Sequence, residues 1–153
     1  MMNITSPRNF KFLAIVIPLF SFLISIWQSQ YVYDGHHWGL MVSNANDLLK
    51  GKAPYKEIFI QYGLFTTIIH AFFIKLSSYK VISIFYGTSF IYSISMFLFY
   101  FLIKKKFGEY SALFGLICLF LIHPFTNHPW HNYITFLFLI LSLIYLENNT
   151  TKS

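Results

Sequence analysis

The chain has 153 residues, of which 56% are hydrophobic, 22% aromatic and only 10% charged. Soluble domains carry roughly 25% charged residues, so this composition excludes an ordinary soluble domain and predicts an integral membrane protein. The net charge of +6 comes from 11 Lys and Arg against 5 Asp and Glu, and the basic residues stand at the ends of apolar runs, a pattern that fits lipid headgroups and membrane orientation and argues against nucleic acid.

The first predicted element is a signal anchor over 12–28. Arg8 and Lys11 precede it in the charge order of a signal peptide, but the exit reads IWQSQY. Trp27 stands where a cleavage site needs small residues, so an uncleaved helix with a cytoplasmic N-terminus is expected. An outer loop, 29–57, follows. Within it Leu40, Met41, Leu48 and Leu49 fit a short amphipathic helix over 38–50, which Gly51 ends. Ala53-Pro54-Tyr55 is expected to be extended, because the residue before a proline is pushed out of the helical region.

Further apolar runs occupy 58–76, 81–103, 110–123 and 133–146, and a polar tail covers 147–153. A helix needs about 20 residues to cross a bilayer core. The expected fold is therefore a single all-α membrane domain, a polytopic transmembrane helical protein of four to five spans with an outer juxtamembrane helix after the first span. Trp27, Tyr31, Tyr33, Trp38 and Trp130 fall near the expected span ends, where amphipathic rings prefer the interface. Cys118 is the single cysteine and lies in an apolar run, which excludes an intramolecular disulfide and reads as packing.

Two topologies are open. If 58–76 crosses, Lys75 and Lys80 are cytoplasmic but Lys104, Lys105 and Lys106 fall outside. If 58–76 lies along the outer surface, the lysine triplet stays with the N-terminus and residues 123–131 emerge on the side of Asp34. The triplet is the densest charge signal in the chain and favours the second arrangement.

Candidate chemistry concentrates in DGHHWGLMVSNANDLLKGKAPYKEIFIQYG, residues 34–63. Asp34 is placed to take a hydroxyl proton or to hold a divalent cation that neutralises a phosphate, and equally to cap the helix that follows. His36 and His37 are adjacent and lack the i, i+4 spacing of a helical metal pair, so contact with substrate or solvent fits them better. Lys50, Lys52 and Lys56, with Tyr55, Gln61 and Tyr62, either attract a lipid phosphate or form a solvated loop at anionic headgroups. His123, His128 and His131 make a second polar island, interrupted by Pro129, and His70 reads as a packing residue. There is no Gly-rich phosphate loop, cysteine cluster or nucleophile elbow.

The order Asp34, His36, His37 and Gly39, then Leu48, Leu49 and Gly51, then Pro54, Tyr55, Phe59, Gln61, Tyr62 and Gly63 resembles the opening of the GT-C membrane glycosyltransferases, in particular bacterial lipopolysaccharide-core sugar transferases and protein mannosyltransferases. The resemblance is close over 33–63 and loose over 12–146. It implies an inner-membrane enzyme that transfers a sugar from a polyprenyl-phosphate donor to an acceptor at the outer face, generally with inversion. It makes Asp34 the catalytic or metal-binding carboxylate, with a divalent cation as a possible cofactor. Around it His36, His37, Lys52, Tyr55, Lys56, Gln61 and Tyr62 become substrate-binding residues. Two departures stand out: His131-Asn132 replaces the second acidic residue of many members, and the family's chains are much longer. The expectation is thus a truncated or N-terminal part, or a chain whose fold a second polypeptide completes. The alternatives are a small non-catalytic membrane partner of a larger transporter or enzyme, and a histidine-based metal transporter subunit.

Overall fold

The structure, a computed structural model, describes residues 7–31, 34–77, 80–122 and 129–150. It is all-α, with α1 (Pro7–Gln28), α2 (Gly35–Leu49), α3 (Leu64–Leu76), α4 (Ser83–Ile122) and α5 (His131–Thr150). Among the described residues two helices are long and apolar enough to cross a membrane, over Asn9–Gln28 and Ser83–Ile122. α3 has 13 residues, a rise of about 20 Å against a hydrocarbon core of about 30 Å. α5 has 20 residues but closes on Glu147, Asn148 and Asn149.

α4 is two helices in one. Gly108 has φ 84 and ψ 174, a backbone region essentially closed to side chains, and the chain reverses there. The Tyr92 hydroxyl donates to the Leu119 carbonyl at 3.0 Å. Phe99 packs so closely on Gly115 that a Cβ there would lie 2.9 Å from its ring. Residues 83–107 and 109–122 are therefore antiparallel arms, and the third and fourth apolar runs form one hairpin over the described residues.

The remaining long helices align with these arms. Phe10 lies against Tyr110 and Phe20 against Phe120, at centroid distances of 5.0 and 5.8 Å, so α1 runs parallel to the second arm. Tyr133 lies 5.1 Å from Tyr92, and Glu147 meets Lys106 at 2.6 Å, so α5 runs parallel to the first. A core of Ala14, Tyr92, Met96, Tyr100, Ala112 and Leu116 joins the hairpin to α1.

α1 contributes a stripe of small residues to this contact. Ala14, Pro18, Ser21, Ser25 and Ser29 are all buried, at steps of three or four, while Phe12, Ile15, Leu19, Leu23 and Trp27 are exposed. Small side chains let helix backbones approach closely where water supplies no driving force.

Two opposite ends result. One gathers Lys11, the turn with Lys104, Lys105 and Lys106, and Glu147; Lys104 pairs with Glu109 across the turn. The other gathers Asp34, α2, α3 and the first turns of α4 and α5. There Trp38, Met41, Ala45, Ala71, Ile74, Ile84 and Phe85 form a separate core. His70 is fully buried on α3, and its Nε2 lies 3.3 Å from the Thr88 hydroxyl. Of the two arrangements open in the sequence, this one keeps the lysine triplet with the start of α1.

Local expectations need three corrections. α2 begins at Gly35 and not at 38, because Asp34 caps it. Tyr55 is not extended: its φ is +63, its N–H donates to the Ile58 carbonyl at 3.1 Å, and the Ala53 N–H donates to Glu57 Oε2 at 2.7 Å. These bonds close a turn on which Pro54 and Ile58 form a bridge. Trp38 is 4% exposed, with its ring 4.2 Å from Phe85, and is a core residue and not an interfacial anchor. Trp27 and Tyr31 are exposed as an interfacial pair should be. Tyr33, His123, Asn127 and His128 lie outside the described residues.

Two outcomes follow. Gly108→Ala meets no steric obstacle, since nothing lies within 4 Å of an added Cβ, yet it forces alanine into a glycine-only region and costs about 1–3 kcal/mol, read as an earlier midpoint in detergent unfolding. Reporters fused at the N-terminus and after Lys106 report from the same side; signals from opposite sides would refute the hairpin.

Candidate functional site

Asp34 sits at the N-terminus of α2, where the first helical N–H groups lack intrahelical partners. Its Oδ1 accepts from the His37 backbone N–H at 3.2 Å, and its Oδ2 lies 2.6 Å from His37 Nδ1. One carboxylate thus caps the helix and holds the imidazole. The two readings open for Asp34, cap or chemistry, describe the same contact. A carboxylate only accepts, so Nδ1 is the donor in this contact, and in a neutral imidazole of that tautomer Nε2 is the acceptor.

Three separate elements converge on this pair. α2 supplies Asp34 and His37. The segment 58–63 leads back along α2, with Ile58 and Ile60 buried and Phe59 74% exposed, the alternation of an extended chain. Asn44 ties it down, its Nδ2 donating to the Phe59 carbonyl at 2.8 Å. That segment delivers Tyr62, whose ring lies 6.2 Å from His37, 5.4 Å from Trp130 and 5.7 Å from His131, stacked on the last at 23°. The start of α5 supplies Trp130, 4.9 Å from the His37 ring.

The result is an Asp34–His37 dyad set in the rings of Tyr62, Trp130 and His131. Both members are part-exposed, Asp34 at 29% and His37 at 36%. Removal from solvent and then the nearby Asp34 carboxylate both raise the Tyr62 pKa above its ordinary value, so this phenol remains a neutral hydrogen-bond donor. Beside the rings a groove of about 390 Å³ runs between the start of α3 and α5. Gln61, Thr66, His131 and Thr135 give it polar points, and Phe65 and Phe138 line it further along. His131 Nδ1 is buried at its edge without a hydrogen-bond partner.

The other candidates fall elsewhere. His36 is exposed and touches only the edge of the cluster, 5.2 Å from the His37 ring. Lys52 pairs with Asp47 at 2.8 Å. It stands with Tyr55 and Lys56 beyond the C-terminal end of α2, which is 15 residues or about 20 Å from Asp34. Tyr55 and Lys56 are exposed. The lysines are therefore not gathered around the dyad.

His37 Nδ1 is engaged with Asp34, and among the described residues no group of three His, Cys, Asp or Glu side chains could hold an ion.

The topology favoured in the sequence puts Trp130 and His131 on the side of Asp34 without assigning them to its site; the structure brings Trp130 against His37 and His131 against Tyr62.

Asp34→Asn removes one of the two causes that raise the Tyr62 pKa, so it falls part of the way back, as a tyrosine-selective NMR titration will read; no movement would contradict the proximity. No family model, curated protein or solved structure matches the chain.

Proposed function

We propose that the chain is a membrane-embedded helical module for sugar transfer from a polyprenyl-phosphate donor, with its reacting site at the Asp34 end. The observation that carries this reading is the Asp34–His37 hydrogen bond beside Tyr62, whose ring lies 6.2 Å from His37 and also lines the groove between α3 and α5. A carboxylate holding Nδ1 orients the imidazole and stabilises its protonated form, which is the arrangement of a general base.

In this reading α1, the two arms of α4 and α5 cross the bilayer as four spans. α2 and α3 stay at the far surface, on the side opposite the N-terminus. Lys11 and the triplet then lie on the cytoplasmic side, as the positive-inside rule requires, and the membrane is a bacterial inner membrane.

The step balances simply. An acceptor hydroxyl attacks the anomeric carbon, forming a C–O bond while the bond from that carbon to the lipid phosphate oxygen breaks. The hydroxyl proton passes to His37 Nε2, and the negative charge departs on the polyprenyl phosphate. Trp130 and Tyr62 offer ring faces and a phenol to the sugar, and Gln61 with His131 offers polar contacts at the mouth of the groove. Lys52, Tyr55 and Lys56, at the far end of α2, take no part in this step. The resemblance in 33–63 supports the substrate class, and the shift of emphasis from Asp34 alone to the dyad comes from the geometry.

Incubation of the purified chain in vesicles with a lipid-linked sugar tests the proposal. Transfer is expected, and His37→Gln lowers kcat by about 10²–10⁴-fold, the usual worth of a positioned base. Asp34→Asn lowers it comparably while leaving KM nearly unchanged. Absence of transfer by the wild-type chain, alone and with candidate partner proteins, would favour the non-catalytic membrane partner; transfer insensitive to both variants would remove the dyad from the mechanism.

A further inference from the structure

The lysine end carries a second built feature. It rests on the bilayer placement above but not on sugar transfer. Two grooves flank the contact between the first arm of α4 and α5. The larger, about 420 Å³, is walled by Leu102, Ile103, Phe107, Leu143 and Leu146, and Lys106 and Glu147 stand at its mouth. The smaller, about 140 Å³, is walled by Phe101, Leu102 and Ile144, with Lys105, Glu147 and Asn148 at its edge.

Glu147 belongs to both, and it is 15% exposed where Lys105 and Lys106 are 48% and 47% exposed. It lies 2.6 Å from Lys106 and 3.8 Å from Lys105. The carboxylate thus lies between two part-exposed lysines that form a fork, and Lys105 also donates to Asn148 Oδ1 at 3.4 Å. Lys104 is matched by Glu109, so the turn presents three lysines to two carboxylates. Lys11 stands at the same end.

We infer that this fork and the larger groove bind one anionic phospholipid of the leaflet that faces the N-terminus, its phosphate across Lys105 and Lys106 and an acyl chain along Leu102, Leu143 and Leu146. Charge and shape together select this occupant. A free anion has no use for an apolar groove below the fork, and a neutral lipid leaves the net charge of the fork unmatched. Basic pockets between membrane helices on the cytoplasmic side recognise anionic headgroups by these same forces.

The full chain in phosphatidylcholine vesicles, titrated with spin-labelled phosphatidylglycerol and, separately, spin-labelled phosphatidylcholine, gives the test by electron paramagnetic resonance. The wild type is expected to immobilise the anionic lipid in preference to the neutral one. Lys105→Gln and Lys106→Gln each reduce that preference by about five-fold, the worth of one lysine at a membrane surface. Glu147→Gln keeps or raises the preference, because it removes a competing carboxylate, whereas a merely structural ion pair would lose it. Lys50→Gln with Lys52→Gln, at the opposite end, leaves it unchanged. Equal immobilisation of both lipids, displacement of the labelled lipid by millimolar inorganic phosphate, or an equal loss on changing Lys50 and Lys52 would each overturn the site. Circular dichroism of each variant separates loss of the site from loss of the fold.

Discussion

A backbone reversal needs unpaired amides, and hydrocarbon gives them no partners. Under the bilayer placement proposed above, that constraint accounts for the architecture. The long apolar stretch from Ser83 to Ile122 reverses at Gly108, in the one short segment where lysines and a glutamate interrupt it. With the turn at that place, the two arms return together. α1 and α5 can then lie against them, and the start of α1 and the end of α5 come to the same end as the triplet. Asp34, Tyr62 and His131 are collected at the opposite end.

The site is built by the same economy. Asp34 has to satisfy the start of α2, and in doing so it also grips His37. Asn44, inside the helix, uses its side chain to dock the returning segment, and that docking sets Tyr62 against His37. The chain after Tyr62 packs beside α5, with Phe65 5.4 Å from Phe138. No element was added for the site alone; each contact that assembles it also holds two pieces of the fold together.

The helices were legible because composition and length signal them strongly. The runs that became α1, the arms of α4 and α5 were found within a few residues, and Gly51 was recognised as the end of α2. What a local reading missed has local causes of a different kind. Asp34 starts α2 three residues early because capping outweighs the hydrophobic pattern. Tyr55 takes a positive φ because Ile58 and Glu57 bond the turn closed. Trp38 is buried because α3 and α4 cover it, and nothing in its neighbours along the chain announces them. Asp34, His37 and Tyr62 were legible as candidates, but the meeting of His37 with Trp130 spans more than ninety positions and depends on the hairpin. Lys52 and Lys56 looked close to Asp34 only in sequence, since a helix stands between.

The small-residue stripe on α1 bears on how the molecule is made. Insertion into a bilayer is governed by total hydrophobicity, and the outward Phe, Ile and Leu side chains of α1 supply that without help from the rest of the chain. Docking is governed by the other face, where Ala14, Ser21 and Ser25 admit the hairpin closely. The two requirements sit on different sides of one helix and are separable. Under the proposed bilayer placement, a bulky substitution in the stripe weakens docking against the hairpin without lowering the hydrophobicity that insertion depends on.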